Sequence, residues 1–267
     1  MRLATAILAA TALSAAAATA ASAAPETIYT NIPAKFPGNF ASYGNEAYSM
    51  SEFGGLVEFA GTARKNPVVL VGMSSWACQF GHWDNNTCVT EPGAKFEWPV
   101  TFSVYQVGPG NTVGQKIAAG SKVFKMPYRP SGSPKCTGEK QGEWYGMGRC
   151  WHGKAFRIAL PLKVAKLPSK AILSVSYDTT THGPNPVGTS ACNSSSGGCP
   201  YDSLNVAVVE PSEGGATIGS NPTEDVYVNS TYPEMFCNGG TQGTFGPASC
   251  PAFWEGSQVA FTVKATE

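Results

Sequence analysis

The sequence has little charge and no excess of either sign. Charged residues make up 13% of the chain, with 18 Lys and Arg against 18 Asp and Glu, and the basic residues form no cluster. Proteins that bind the phosphate backbone of nucleic acids need a clear basic surface. Nucleic acid is therefore excluded as an expected partner.

Motifs of two hydrolase classes are missing. The nearest string to a G-x-S-x-G nucleophile elbow, GTSAC at residues 188–192, ends in cysteine and opens no helix. The three histidines, His82, His152 and His182, have no partner at the spacing of a zinc site. We expect all three to be loop residues whose imidazoles donate to backbone carbonyls. The alternative is that the three side chains converge in space and bind copper or zinc.

Paired carboxylates, which glycosidases need across a cleft, are not evident on any one strand. Glu224 and Asp225 are adjacent and would point to opposite faces. Asp178 and Asp202 flank one long loop and could act as a catalytic pair if they approach each other in space. The ordinary explanation for both residues is that their side chains accept backbone N–H bonds in the turns at the two ends of this loop. The sequence leaves an enzymatic activity undecided and favours a protein without one.

Long apolar runs are absent beyond the N-terminus. Residues 1–23 contain Arg2, a run rich in Ala and Leu, and an Ala-Ser-Ala ending at Ala23, which predicts a signal peptide cleaved there. A membrane anchor is the rival, but the segment is mostly alanine and Pro25 follows at once. The predicted mature chain, residues 24–267, has 17 basic and 18 acidic residues, and we expect it to be secreted without a membrane span.

Eight cysteines lie in the predicted mature chain, an even number that favours disulfides in an oxidising compartment. About 105 connectivities are open. We favour pairing between neighbours, because each pair would close a polar loop with little apolar surface to hold it. The favoured pairs are Cys78 with Cys88, Cys136 with Cys150, Cys192 with Cys199, and Cys237 with Cys250.

Alternation of apolar with more polar residues predicts half-buried β-strands, with one apolar and one polar face, throughout the mature chain. In PVTFSVYQV, Val100, Phe102 and Val104 share one face, and KAFRIAL, AILSVSYD, SLNVAVV and QVAFTVKA alternate in the same way. NPVVLVGM is more continuously apolar, which predicts a central strand covered on both faces. About ten short strands between Gly/Pro/Asn-rich loops indicate a single all-β domain, an antiparallel two-sheet β-sandwich that is jelly-roll-like. An immunoglobulin-like sandwich is the alternative, although its strands are more closely spaced.

Several segments in one co-linear order resemble a family of uncharacterised exported bacterial proteins. They are SEFGGLVEFAGTARKNPVVLVGMSSWACQFGHWDNNTC, WPVTFSVYQVGPGNTVGQKIA, MPYRPSGSPKC, YDTTTHGPNPVG and GGCPYDSLNVAV. The resemblance covers most of the mature chain and implies a secreted β-sandwich, with no reaction to carry over. This chain departs from members that have a C-terminal surface-sorting tail, since it ends after its last predicted strand.

Asp and Asn residues in Gly-rich loops suggest calcium as a candidate cofactor. Calcium binds hard oxygen ligands, which Asp84, Asn85, Asp178 and Asp202 would supply. None of these loops has the spacing of an EF-hand, and Asx turns are the ordinary explanation.

Aromatic residues near the cysteines are the best indication of function. Trp83, Trp144, Tyr145, Trp151 and His152 lie in predicted loops, and indole faces there would stack on sugar rings. Tryptophan packed on a disulfide is also common in sandwich cores, and we expect Trp76 to be buried in this way. The leading hypothesis is a non-catalytic protein that binds an extracellular glycan or cell surface. The alternatives are a structural protein of an extracellular layer and a polysaccharide-active enzyme.

Overall fold

A computed structural model describes residues 24–44, 50–178, 204–232, 235, 240–248 and 256–267. The predicted signal peptide, His182, Asp202 and the last four cysteines lie outside these residues. In the described residues there are three short 3₁₀ turns, Pro109–Asn111, Gly138–Lys140 and Pro211–Glu213, and no helix long and apolar enough to cross a membrane. The strands are β1 (Glu26–Thr30), β2 (Ser42–Gly44), β3 (Met50–Glu58), β4 (Lys65–Ser75), β5 (Lys95–Val107), β6 (Val113–Pro127), β7 (Trp144–Gly146), β8 (Arg149–Trp151), β9 (Lys154–Pro161), β10 (Lys170–Ser176), β11 (Leu204–Val209), β12 (Val226–Ser230), β13 (Gly246–Ala248), β14 (Gln258–Val259) and β15 (Phe261–Thr266).

The strands form two main antiparallel sheets and one small hairpin. The first sheet has the order β1-β15-β4-β11-β14, with β9 paired to β4 and β2 paired to β11. The second has the order β13-β12-β3-β10-β5-β6, and β7 and β8 form the hairpin. The predicted all-β antiparallel sandwich is confirmed. The described residues alone form seven and six strands in the two main sheets, more than the seven to nine strands of an immunoglobulin-type sandwich.

The core lies between the two main sheets and follows the predicted alternation. Val100, Phe102 and Val104 of β5 are buried in it, and Val69 and Val71 of β4 reach it from the first sheet. Strand β4 pairs with β9 on one side and with β15 and β11 on the other, which confirms the central strand predicted from NPVVLVGM.

The outer faces of both sheets are partly covered, contrary to the expected half-buried strands. A second apolar cluster covers the first sheet, where Phe40 and Ile32 pack on Ala207 and Ala260. A third apolar cluster covers the outer face of the second sheet, which was predicted to be polar. The buried residues of this cluster are Leu56, Tyr105, Ile172 and Tyr227. The chain segment at residues 31–41 thereby packs on the first sheet, and this places it beside the site described below.

Two disulfides are present among the described residues, Cys78–Cys88 and Cys136–Cys150. Both join the neighbours that the sequence favoured, so these two pairings are confirmed. The pairs Cys192 with Cys199 and Cys237 with Cys250 lie outside the described residues and stay predictions. Two disulfides in one chain fit an oxidising compartment.

Two buried tyrosines predict a loss of stability in alkali. Burial raises the pKa of Tyr29 far above its usual value, partly offset by its hydrogen bond to Asn221, and burial together with Asp225 raises the pKa of Tyr227 to about 12. Unfolded tyrosine ionises near pH 10. The protonated phenols therefore stabilise the fold fully below about pH 10, and this contribution is lost as the pH rises towards 12.

Urea unfolding measured between pH 8 and pH 12 checks this prediction. Because other groups also titrate there, the comparison is with Tyr227→Phe, whose stability should fall less steeply above pH 10. Equal slopes for the two proteins would contradict the prediction.

Candidate functional site

A cleft of about 500 Å³ is the strongest candidate site, because it brings aromatic rings and charged groups together. Its walls come from four parts of the chain that are distant in sequence. They are the segment at residues 37–42, Trp76 after β4, the region from Lys140 to His152, and the turn with Glu210 and Glu213 after β11. Four of the five aromatic and histidine residues predicted to bind a ligand lie in the third part, and two of them, Trp151 and His152, line the cleft.

The β7–β8 hairpin positions Trp151 and His152. Its register pairs Trp144 with Trp151 and Gly146 with Arg149, which leaves a two-residue turn. Met147 and Gly148 both have positive φ, as a type I′ turn requires. The Cys136–Cys150 disulfide ties this hairpin to the preceding loop. The tight turn and the disulfide together fix the conformation of the hairpin and its position relative to the preceding loop.

Trp151 is half-buried in the cleft wall and fixed by its neighbours. Its indole Nε1 donates to the carbonyl oxygen of Gly146 at 2.8 Å, and the Arg149 guanidinium lies 3.9 Å from the ring centroid. A side chain at Gly38 would lie 2.5 Å from the indole, so only glycine allows the close approach of the segment at residues 37–42.

Trp76 also lines the cleft, which corrects the expectation that it belongs to the core. It is half-buried, its ring is stacked on His152 at 5.3 Å, and Trp83 contacts it nearly perpendicularly at 4.7 Å. Its Nε1 donates to Ser74 at 3.0 Å. A methyl group at Gly153 would lie 2.5 Å from Ser74 Oγ and would overlap this indole.

Glu143 lies in the wall of the cleft with its side chain almost fully buried, at 1% exposure. Its Oε1 is 2.9 Å from His152 Nε2 and 3.3 Å from Lys140 Nζ. The 3₁₀ turn Gly138–Lys140 brings Lys140 next to Glu143 along the chain. A buried carboxylate is costly without opposite charges and hydrogen bonds, and the charge of Lys140 supplies part of that compensation.

Buried Arg129 supplies a second positive charge that acts on Glu143. Its side chain is fully buried, and Nη2 donates to the carbonyl oxygen of Gly142 at 2.6 Å. Burial lowers the pKa of Arg129 to about 10, and the negative charge of Glu143 counteracts part of that effect. The negative charge of Glu143 therefore helps to keep Arg129 in its charged form.

Trp144 and Tyr145 do not line the cleft, although the sequence suggested both as ligand contacts. Trp144 is buried, and its Nε1 donates to the carbonyl oxygen of Gly153 at 2.7 Å, which satisfies the buried N–H group. Tyr145 is exposed on the hairpin, with Lys135 Nζ 4.8 Å from its ring centroid. Trp83 is half-buried beside Trp76 and does not reach the cleft itself.

The suggested calcium ligands are not brought together in the part of the chain that the structure describes. Asp84 and Asp178 are both exposed, the first in the Cys78–Cys88 loop and the second after β10. Asn85 accepts hydrogen bonds from Thr87, as an Asx turn does. No group of three His, Cys, Asp or Glu side chains suited to a metal occurs among the described residues. Asp202, the remaining suggested ligand, lies outside them.

The sequence did not single out several of the residues that build the cleft. Glu143 and Asn39, which line it, and Arg129, whose charge acts on Glu143, lie in segments with no motif around them, and only the tertiary structure reveals their surroundings. The sequence did not single out Gly38 or Gly153 either. Each allows two segments that are distant in sequence to approach closely, and this requirement cannot be seen along the chain.

Comparison of the chain with models of protein families, with curated proteins and with solved structures finds no match. The resemblance to exported bacterial proteins therefore stays a prediction. The candidate site is defined by the geometry of this chain alone.

Proposed function

We propose that the protein is a secreted, non-catalytic protein that binds carbohydrate in the cleft. The observation that carries the proposal is the meeting of half-buried Trp76 and Trp151 with polar side chains in one cleft of about 500 Å³. Ring surfaces of this kind pack on the apolar face of a sugar, and polar groups around them bind its hydroxyls. The N-terminal signal pattern and the two disulfides support secretion.

The direct test is calorimetric titration of the oxidised protein with a panel of oligosaccharides. The panel contains maltohexaose, cellohexaose, mannohexaose, N-acetylchitohexaose and hexagalacturonate. We expect at least one to bind and Trp151→Ala to weaken that binding about tenfold or more, as loss of a central aromatic contact does. Tyr145→Ala is the matched control, since this exposed aromatic on the same hairpin does not line the cleft and its removal should leave the affinity unchanged.

Failure of every panel member to bind would contradict the proposal. Equal weakening by the Trp151 and Tyr145 variants would place the binding surface outside the cleft. Circular dichroism and thermal melts of both variants establish that each has folded.

A polysaccharide-active enzyme is the second candidate, since Glu143, Glu210 and Glu213 all line the cleft. Glycosidases use two carboxylates that face each other across the bound sugar. Chromatography of the same mixtures after long incubation distinguishes the two functions. Shortened oligosaccharides that disappear with Glu210→Gln or Glu213→Gln would favour the enzyme.

A further inference from the structure

A second concave site, a groove of about 670 Å³, shares no lining residue with the cleft described above. It forms where the turn between β3 and β4 meets the loop between β9 and β10. Two backbone hydrogen bonds of 2.9 Å tie these segments together, from the Leu167 N–H to the carbonyl oxygen of Arg64 and from the Phe59 N–H to that of Ser169. The groove therefore has a fixed shape and a volume that suits a small molecule.

Apolar side chains form part of the groove wall. Ile117 of β6 and Val164 are half-buried, pack against the main core and line the groove together with Pro168. Apolar surface that stays exposed in a concave site is removed from water when the apolar part of a ligand packs on it. The wall thus favours a ligand with an apolar body.

The charge of the groove is positive. Arg64 and Lys166 line it, and no acidic side chain among the described residues does so. Glu26 and Glu267 approach residues of its rim but do not line it. Two cations in a groove without a lining carboxylate favour an anionic ligand.

The guanidinium of Arg64 is held in place with donors to spare. Its side chain is 8% exposed, Nη1 donates to the carbonyl oxygens of Ala60 and Ala63, and Nη2 donates to that of Phe59. These bonds use three of the five N–H groups of a guanidinium. Within the described residues the Nε–H and one N–H of Nη2 have no hydrogen-bond partner, and Nε is not among the fully buried atoms that lack one.

Neutral carbonyls orient Arg64 without neutralising it. In the described part of the chain Arg64 forms no ion pair with a carboxylate. A buried positive charge is more stable with a negative partner, and arginine binds a carboxylate through two parallel N–H bonds. The two N–H groups that remain on Arg64 match this need.

We infer that the groove binds a small-molecule carboxylate with an apolar body. Arg64 donates two hydrogen bonds to the carboxylate, Lys166 adds a positive charge, and the apolar body packs on Ile117 and Val164. This inference goes beyond the proposed carbohydrate binding and does not rest on it.

Calorimetric titration with matched anionic and neutral probes is the first test. The probes are octanoate and 2-naphthoate, each compared with its own amide, which has nearly the same shape and no charge. We expect at least one carboxylate to bind with a dissociation constant below about 1 mM and about tenfold more tightly than its amide. Failure of both carboxylates to bind, or equal affinities of acid and amide, would overturn the inference.

Methyl NMR of protein labelled at Ile, Leu and Val locates the probe. Saturation with the carboxylate that binds best should shift the methyl signals of Ile117 and Val164 and leave the indole N–H signals of Trp76 and Trp151 unmoved. The opposite pattern would place the anion in the cleft and overturn the inference.

Two charge reversals on the same loop separate local from overall charge. Lys166→Glu should weaken carboxylate binding about tenfold and leave amide binding unchanged, because it places a negative charge in the groove. Lys163→Glu is the matched control, since Lys163 is exposed, does not line the groove and changes the net charge equally. Equal weakening by the two variants would contradict the site, whereas oligosaccharide binding by both should stay as in the unaltered protein.

Arg64→Lys tests the proposed donor directly. This variant keeps the positive charge but loses the pair of parallel N–H groups, so it should also weaken carboxylate binding about tenfold. Unchanged affinity in a folded Arg64→Lys protein would overturn the role of Arg64. Circular dichroism establishes folding, and if this variant does not fold, the comparison of Lys166→Glu with Lys163→Glu decides.

Discussion

Replacement of Arg129 by methionine is expected to lower the free energy of unfolding by about 3 kcal/mol. Arg129 is fully buried and interacts electrostatically with Glu143, whose side chain is also buried. Removing one member of a buried charge pair costs about 3 to 5 kcal/mol, because the other is left uncompensated. We expect the lower end of this range, since Lys140 and His152 still contact Glu143.

A double replacement tests this explanation. Arg129→Met combined with Glu143→Leu leaves no buried charge, and such changes are often neutral for stability. The double variant should therefore recover much of the stability that the single variant loses. If instead the losses from the two single variants simply add, the two side chains are not coupled.

The matched control for Arg129 is an exposed ion pair. Lys125 Nζ lies 3.6 Å from Glu97 Oε1, and both side chains are more than half exposed. Lys125→Met should cost no more than about 1 kcal/mol, the usual limit for surface pairs. Urea unfolding of all four variants provides the free energies.

Loss of the Cys136–Cys150 disulfide is expected to remove about 3 kcal/mol of stability and most ligand binding. The bond closes a loop with a sequence separation of 14, for which the chain-entropy model predicts about that stabilisation. Cys150 also lines the cleft, between Arg149 and Trp151. Without the bond, the hairpin that carries Trp151 and His152 loses its attachment to the preceding loop.

The control is the second disulfide. Cys78–Cys88 has a sequence separation of 10 and a similar expected stabilisation, but neither of its cysteines lines the cleft. We therefore expect replacement of either cysteine pair by serines to lower the free energy of unfolding by about the same amount. Replacement of Cys136 and Cys150 should weaken oligosaccharide binding more than replacement of Cys78 and Cys88. Equal losses of affinity would show that the hairpin's attachment has no specific part in binding.

The strands were predictable because their pattern is local. In β5, the alternation of Val100, Phe102 and Val104 with polar neighbours assigns one face to the core without any knowledge of the partner strands. Local disulfide pairing was predictable for a similar reason, since each polar loop needs a closure near its own ends. The burial of Tyr105 on the supposedly polar face was not, because it depends on which distant residues cover that face.

The candidate site was only partly predictable. His152 and Trp151 stood out because aromatic residues near a cysteine are unusual in a polar loop. Trp144 in the same hairpin looked equally exposed, and only the tertiary structure shows that it is buried, with its indole N–H bound to the carbonyl oxygen of Gly153. Glu143 looked like any surface acid until His152 and Arg129 were found beside it.

The sequence by itself determined that this chain forms a disulfide-containing, antiparallel β-sandwich without an evident catalytic motif. Periodicity, loop composition and cysteine spacing act over a few residues, and each can be seen along the chain. Only the tertiary structure decided that Asn39, Trp76, Glu143, His152 and Glu210 share one cleft. That cleft depends on close approaches between segments more than fifty residues apart, and these distances are set by how the sheets and the hairpin pack.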